Sequence, residues 1–179
     1  MSKLVSNNQG TETARLARNM GLSRGDYQRA LTDGTIGTFL KGLMSTKLDY
    51  PDWIKEHLTP ELEATEVCDP GPVELWLDPR QQSSSYPNGH EVYETLKQKD
   101  LLTRSISFGH LKWYEEHLEQ IPTEFQGKLI WGWASVVRRS DGFRRVPYLG
   151  CRGVRPYVRW CNLVYRWHDN EPAGLRISA

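Results

Sequence analysis

The clearest hydrophobic pattern of the chain lies between residues 128 and 167, where apolar and polar positions alternate. Alternation with a period of two is typical of β-strands, whose successive side chains point to opposite faces of a sheet. The dipeptide Asp141-Gly142 interrupts the pattern. This dipeptide favours a two-residue hairpin turn, since type I′ turns need positive φ at both central positions. The sequence therefore predicts an antiparallel hairpin that turns at Asp141-Gly142.

A two-residue turn also predicts which side chains face each other at the hairpin tip. Arg139 would lie opposite Arg144, and Arg138 opposite Arg145. Like charges directly opposite one another destabilise a strand pair. Two interpretations follow: a solvated tip whose side chains splay apart, or a finger that seeks phosphate, because guanidinium groups offer a fork of donors.

The same register divides the predicted sheet into two faces. One face is small and apolar and consists of Ile130, Gly132, Ala134, Val136, Leu149 and Cys151. The other face carries Trp131, Trp133, Val137, Val146 and Tyr148, with Arg139 and Arg144 at its end. A third alternating run, Val154 to Trp167, places Arg155, Tyr157 and Arg159 on one side and Val158 and Trp160 on the other.

If Arg155, Tyr157 and Arg159 join the face of Trp131 and Trp133, aromatic rings alternate there with arginines. Such a surface suits stacked bases and a phosphate backbone. The alternative is that both faces are buried and that the tryptophans belong to the core. A one-residue bulge would exchange the two faces.

Upstream of this sheet the apolar spacing is mainly helical. Residues 1–10 are polar and are predicted to be flexible. Residues 11–66 are predicted to be a helical segment that begins with a helical hairpin, and Pro51 and Pro60 each open a further short helix. The remainder, residues 73–179, is predicted to contain a strand at 73–77, helices at 90–98 and near 111–121, and the sheet. The fold class is therefore α+β, an N-terminal helical hairpin followed by a mixed helix and antiparallel β-sheet body.

Charge is distributed unevenly along the chain. The net charge is only +1, but residues 127–168 hold nine basic side chains and one acidic side chain. This basic segment predicts either a nucleic acid or an acidic protein as partner, or else contact with the protein's own acidic helices. No apolar run approaches the roughly 20 residues that span a bilayer, and the start of the chain lacks an apolar signal region. We therefore predict a cytoplasmic protein without a membrane partner.

Residues that could hold a cofactor or carry out catalysis are scattered. Cys68, Cys151, Cys161 and His168 could supply four metal ligands, but the close cysteine pairs of structural zinc sites are missing. The glycines match neither a phosphate loop nor a dinucleotide fingerprint. We therefore predict no metal and no cofactor. His90, His110 and His117 are candidates for acid–base catalysis in a metal-independent hydrolase or nuclease, although their spacing defines no site and a solvated role is the alternative.

A short N-terminal stretch resembles a known DNA-binding motif. Leu16-Ala17, Gly21-Leu22-Ser23-Arg24, Tyr27, Arg29 and Gly34 are similar to the helix-turn-helix of phage-repressor-type proteins. The resemblance covers residues 11–34 and implies that Ser23, Arg24 and Gln28 reach base edges in the major groove. Gly25, inside the would-be recognition helix, departs from the family pattern. A plain helical hairpin is the alternative.

A longer stretch resembles a group of uncharacterised bacterial proteins. The similarity rests on the segments VELWLDP, GHEVYETL, SFGHL, FQGKLIWGWASVVRR, RRVPYL and PAGLR and covers residues 73–176. It implies a bacterial source and no particular activity. The leading hypothesis is a small nucleic-acid-binding protein that uses Arg138, Arg139, Arg144, Arg145, Arg155 and Arg159, with Trp131, Trp133, Tyr148 and Tyr157 stacking on bases where exposed. An adaptor for an acidic protein and a hydrolase are the alternatives.

Overall fold

The computed structural model describes residues 48–83, 85–152 and 155–177. These residues belong to one compact unit, Lys47–Ala179. The predicted flexible residues 1–10 and the predicted helical hairpin with its helix-turn-helix-like stretch lie outside the described residues.

A mixed sheet with helices on both faces forms the described part of the chain. Its strands are β1 (Ile54–His57), β2 (Val73–Trp76), β3 (Ile130–Trp131), β4 (Val137–Arg139), β5 (Arg144–Arg152), β6 (Arg155–Asn162) and β7 (Ala173–Arg176). Its α-helices are α1 (Pro79–Gln82), α2 (Gly89–Gln98) and α3 (Phe108–Glu116). Single 3₁₀ turns occur at Pro60–Leu62, Leu102–Arg104, Leu118–Gln120, Thr123–Phe125 and Trp133–Ser135. The predicted α+β class of the body is confirmed.

The strand order is β1-β4-β5-β3-β7-β2, and β6 pairs with β5 as well. All pairings are antiparallel except the one between β3 and β7. Among the described residues β6 pairs with β5 alone. β6 is therefore an edge strand, and we name the pair β5–β6 the ribbon, although β5 also pairs with β3 and β4 along its other edge.

Each face of the sheet carries its own apolar cluster, because successive residues of a strand point to opposite sides. Val92 and Leu96 of α2 pack with Trp131 and Val146 on one face. The opposite face is covered by α3, whose Leu111 and Tyr114 lie in one cluster with Ile130, Leu149 and Val73. In the described part of the chain the centre of the sheet is thus buried on both sides.

The turn between β4 and β5 is one residue longer than predicted. The N–H of Gly142 donates to the carbonyl of Arg139 and the N–H of Arg139 donates to the carbonyl of Phe143, both at 2.9 Å. The loop is therefore Ser140–Gly142, with Gly142 in the left-handed region at φ 86°. The predicted pairs are wrong by one position: Arg138 faces Arg144 and Val137 faces Arg145.

The predicted continuous strand from residue 128 to the hairpin is also interrupted. Trp133–Ser135 forms a 3₁₀ turn between β3 and β4. Its backbone finds partners outside the ladder, since the N–H of Trp133 donates to Ser105 Oγ and the N–H of Ala134 donates to the carbonyl of Ile106. The interruption exchanges the faces beyond it, so that Val136 lies in the same cluster as Trp131.

The segment after Pro51 is a strand rather than the predicted helix. β1 pairs with β4, with Glu56 opposite Arg138, and the Leu58 N–H continues this contact by donating to the carbonyl of Val136 at 2.8 Å. The helix predicted at Pro60 is a single 3₁₀ turn. Proline favours the first turn of a helix, but here pairing with the sheet determines the backbone conformation. The strand predicted at 73–77 and the helix predicted at 90–98 are confirmed, each within one residue at its ends.

Candidate nucleic-acid interface

Four basic and aromatic side chains share one face of the ribbon β5–β6. Arg152 is paired with Arg155, Gly150 with Tyr157, and Tyr148 with Arg159. Directly paired residues and every second residue along a strand lie on the same face. Arg152, Arg155, Tyr157 and Arg159 therefore form one surface, which we name the β5–β6 patch. The condition set in the sequence analysis, that Arg155, Tyr157 and Arg159 join the face of Trp131, is met, because Tyr148 is paired with both Trp131 and Arg159.

The β5–β6 patch is concave and open. A cavity of about 450 Å³ is lined by Arg152, Arg155, Pro156, Tyr157 and Arg159. The three arginines are exposed, whereas Tyr157 is half-buried. Within the described residues, no carboxylate lies within ion-pair distance of any of these arginines. The described carboxylates therefore do not neutralise the charge of these arginines.

Tyr157 links this surface to Tyr148, which lies on the same face of the sheet. The guanidinium carbon of Arg159 lies 5.0 Å from the ring centroid of Tyr157. The rings of Tyr157 and Tyr148 meet at 6.3 Å in a T-shaped arrangement. Tyr148 contacts the core through Trp131 at 4.8 Å. Burial raises the pKa of Tyr148 above its usual value of 10.0, so at neutral pH its hydroxyl keeps the proton and can donate a hydrogen bond.

Trp131 and Trp133 do not belong to this surface. They are only 1% and 0% exposed, and both pack against the buried Trp167, at 4.7 and 5.7 Å between ring centroids. Base stacking by these two residues was predicted only if they were exposed, and they are buried. The alternative interpretation, that the tryptophans belong to the core, is correct. Their face was predicted correctly, but α2 and the segment around Leu163 and Trp167 cover it.

Three of the four arginines at the hairpin tip have partners. We name Arg138, Arg139, Arg144 and Arg145 the β4–β5 tip. Arg138 Nε lies 2.8 Å from Glu56 Oε2, and Arg139 Nη1 lies 3.4 Å from Asp141 Oδ2. Arg145 packs its guanidinium 5.4 Å from the ring centroid of Trp53. The tip thus presents less free charge than the sequence indicated, and its role in binding stays a prediction.

Sequence reasoning missed two residues of these surfaces. Arg152 follows Tyr148 and Gly150 at a spacing of two, so the alternation that placed Tyr148 also predicts its face. Trp53 contacts Trp160 at 5.6 Å as well as Arg145. This contact was not predicted, because the segment after Pro51 was interpreted as a helix and not as a strand that pairs with β4.

The three histidines considered for catalysis do not form an acid–base site in the described part of the chain. His110 is buried at the start of α3, where its Nδ1 accepts a hydrogen bond from the N–H of Ser107 at 2.9 Å. Burial lowers the pKa of His110 to about 4. His117 Nδ1 lies 2.8 Å from the carbonyl oxygen of Trp113. Burial, reinforced by the charge of Arg144, lowers the pKa of His90.

The residues considered as metal ligands do not form a cluster in the described part of the chain. Cys68, Cys151 and Cys161 are free thiols, and in the part of the chain that the structure describes no three His, Cys, Asp or Glu side chains gather as a metal site. Ser23, Arg24 and Gln28 lie outside that part. None of the helices within it has both the length and the apolar character needed to cross a membrane.

Comparison of the chain with models of known protein families, with curated proteins and with solved structures gave no significant match. The two resemblances noted in the sequence therefore stay predictions.

Proposed function

We propose that the protein binds a nucleic-acid strand through the phosphate groups, and that the β5–β6 patch is the contact surface. One observation carries the proposal: three exposed arginines without a carboxylate partner in the described chain line one open concavity with Tyr157. Guanidinium groups bind phosphate oxygens in a bidentate manner. Tyrosine rings beside them are typical of surfaces that bind single strands.

Folding alone does not favour this arrangement. Arg152 and Arg155 are directly paired across the ribbon, and like charges in that position destabilise the sheet. The comparable pair at the tip, Arg138 and Arg144, is relieved by the carboxylate of Glu56 on the neighbouring strand. Since no such carboxylate accompanies Arg152 and Arg155 in the described residues, an anionic ligand is the simplest source of compensating charge.

The proposal is tested with fluorescently labelled single-stranded DNA, RNA and duplex DNA of equal length, followed by anisotropy at low and at physiological salt. We expect binding that weakens as salt rises, because bound phosphates release counterions. Replacement of Arg152, Arg155 and Arg159 by Gln should weaken it strongly, while circular dichroism stays unchanged. Absence of binding at low salt for all three probes would overturn the proposal and favour an acidic protein as partner.

A further inference from the structure

The ribbon contains a glycine whose missing side chain shapes the β5–β6 patch. Gly150 is the direct partner of Tyr157. A Cβ atom built on Gly150 would lie 2.6 Å from Tyr157 Oη and 2.7 Å from Tyr157 Cζ. Both distances are far below van der Waals contact, so the tyrosine ring lies where any other residue would carry its side chain. Gly150 is not among the glycines with positive φ, so the ring rather than the backbone conformation requires glycine here.

The ring that lies over Gly150 is also the ring that Arg159 contacts. The guanidinium of Arg159 is 5.0 Å from the Tyr157 centroid, within the range of a cation–π interaction. The side chain of Arg159 is exposed and makes no hydrogen bond or ion pair with the described residues. A long arginine without other partners loses rotamer freedom when it binds a ligand. A ring that already orders the guanidinium reduces that loss.

We propose that Gly150 and Tyr157 are positioning residues for Arg159. The absence of a side chain at position 150 lets the Tyr157 ring lie across β5, and the ring holds the Arg159 guanidinium at the concavity that Arg152 and Arg155 also line. The ordered guanidinium then takes one phosphate of the bound strand. This inference rests on the proposed function for its ligand, but the positioning of Arg159 is a property of the free protein.

A purely structural role is the competing explanation. Aromatic residues opposite glycine in a sheet can compensate for the missing side chain by covering the exposed backbone. In that case Gly150 and Tyr157 would affect stability and leave the contact between Arg159 and phosphate unchanged. The two explanations differ in the salt dependence of binding, because each phosphate contact to a single strand contributes about 0.7 to the slope of log affinity against log salt.

The experiment compares Gly150→Ala, Tyr157→Leu, Tyr157→Phe and Arg159→Gln for binding of a short labelled single-stranded oligonucleotide across a salt series. Gly150→Ala and Tyr157→Leu should each weaken binding about two- to five-fold, the range that an exposed cation–π contact supports. Both should lower the salt slope towards that of Arg159→Gln. Tyr157→Phe keeps the ring and should bind like the wild type.

A double-mutant cycle completes the test. Gly150→Ala added to Arg159→Gln should produce no further loss of affinity, because the residue that it positions is already gone. Additive losses, or an unchanged salt slope in Gly150→Ala together with a change in the free energy of unfolding, would overturn the positioning role.

A second readout separates this inference from the proposed function. In the free protein the side-chain protons of Arg159 should show a ring-current shift by NMR that Gly150→Ala and Tyr157→Leu remove and Tyr157→Phe retains. If the wild type binds no oligonucleotide but the shift behaves in this way, the proposed function fails and the positioning stands. If the shift survives in Gly150→Ala, the positioning itself is wrong.

Discussion

The two ends of strand β5 carry similar charge in different surroundings. Arg144 and Arg145 begin the strand and Arg152 ends it, at a separation of roughly 26 Å for eight steps along a strand. At the tip, Glu56, Asp141 and Trp53 contact three of the four arginines. At the β5–β6 patch the described residues provide no carboxylate. The difference shows that the number of arginines in a segment does not indicate how much of their charge has a partner, and it predicts that the end without carboxylates is the better anion site.

The largest expected effect on stability concerns two aromatic residues, the buried Trp133 and the half-buried Tyr157. Replacing Trp133 by Ala should lower the free energy of unfolding by about 3 to 5 kcal/mol, because a fully buried indole leaves a cavity. Replacing the half-buried Tyr157 by Ala should cost clearly less. Urea denaturation of both variants measures the difference. Similar losses for both would remove the distinction between a tryptophan core and a tyrosine surface.

The next largest effect is the dependence of stability on pH. His110 has a pKa of about 4 in the folded protein, against 6.5 for an ordinary histidine. Between these values the unfolded chain binds a proton that the folded protein does not, so stability should fall by about 3 kcal/mol as the pH drops from 6.5 to 4. The raised pKa of Glu63, which results from burial, acts in the opposite direction.

Because Glu63 opposes it, the histidine contribution is isolated by comparison with His110→Gln. The amide oxygen of glutamine can still accept the hydrogen bond from the Ser107 N–H at the start of α3. Thermal denaturation of both proteins between pH 7 and 4 should show a smaller loss for His110→Gln. Identical pH profiles would contradict the assignment of this loss to His110. Either end of β5 can then be studied at pH 7 without interference from this group.

A smaller effect is expected where α3 supports the ribbon. The N–H of Val158 in β6 donates to Glu115 Oε1 at 3.0 Å. Removing this acceptor with Glu115→Ala should destabilise the protein by about 1 kcal/mol, whereas Glu115→Gln keeps an acceptor and should be nearly neutral. Glu116→Ala, at the exposed neighbouring position, is the matched control. If chemical denaturation gives the same free energy of unfolding for Glu115→Ala and Glu116→Ala, this hydrogen bond does not stabilise the ribbon.

The smallest effect on stability, within about 1 kcal/mol, is expected for Glu56→Gln at the tip. Glu56 is half exposed, at 54%, and exposed ion pairs contribute little. The substitution frees Arg138, however, and should strengthen oligonucleotide binding if available charge is what distinguishes the two ends of β5. Anisotropy titration measures this change, with Asp52→Asn, an exposed carboxylate on the same segment, as control. Unchanged or weaker binding would show that freeing Arg138 is not enough to make the tip a contact surface.

Local pairing explains which parts could be predicted from the sequence. The alternation predicted that Arg155, Tyr157 and Arg159 share one side of β6, and the register with β5 shows that this side is the face of Tyr148. The alternation of side chains cannot show which face of the sheet is covered by other elements of the fold. Trp131 and Trp133 are buried by Leu96, Leu163 and Trp167, which come from other parts of the chain.

Long-range hydrogen bonds explain the remaining differences. The 3₁₀ turn at Trp133–Ser135 depends on Ser105, 28 residues away, and no local propensity indicates it. The ion pair of Arg138 depends on Glu56, which is 82 residues distant in sequence. Without the fold, Arg138 and Arg155 look equally free. Only the pairing of β1 with β4 separates them.

The central claim is that free charge at the β5–β6 patch, rather than the number of arginines, makes the contact surface. The salt dependence of binding in two matched triple variants tests it most directly. One variant replaces Arg152, Arg155 and Arg159 by Gln, and the other replaces Arg138, Arg139 and Arg144 by Gln. The first should lower the salt slope for a single-stranded oligonucleotide by about two, because each of the three arginine–phosphate pairs contributes about 0.7. The second should leave the slope nearly unchanged. Equal decreases in both variants, or a larger decrease in the tip variant, would contradict the account.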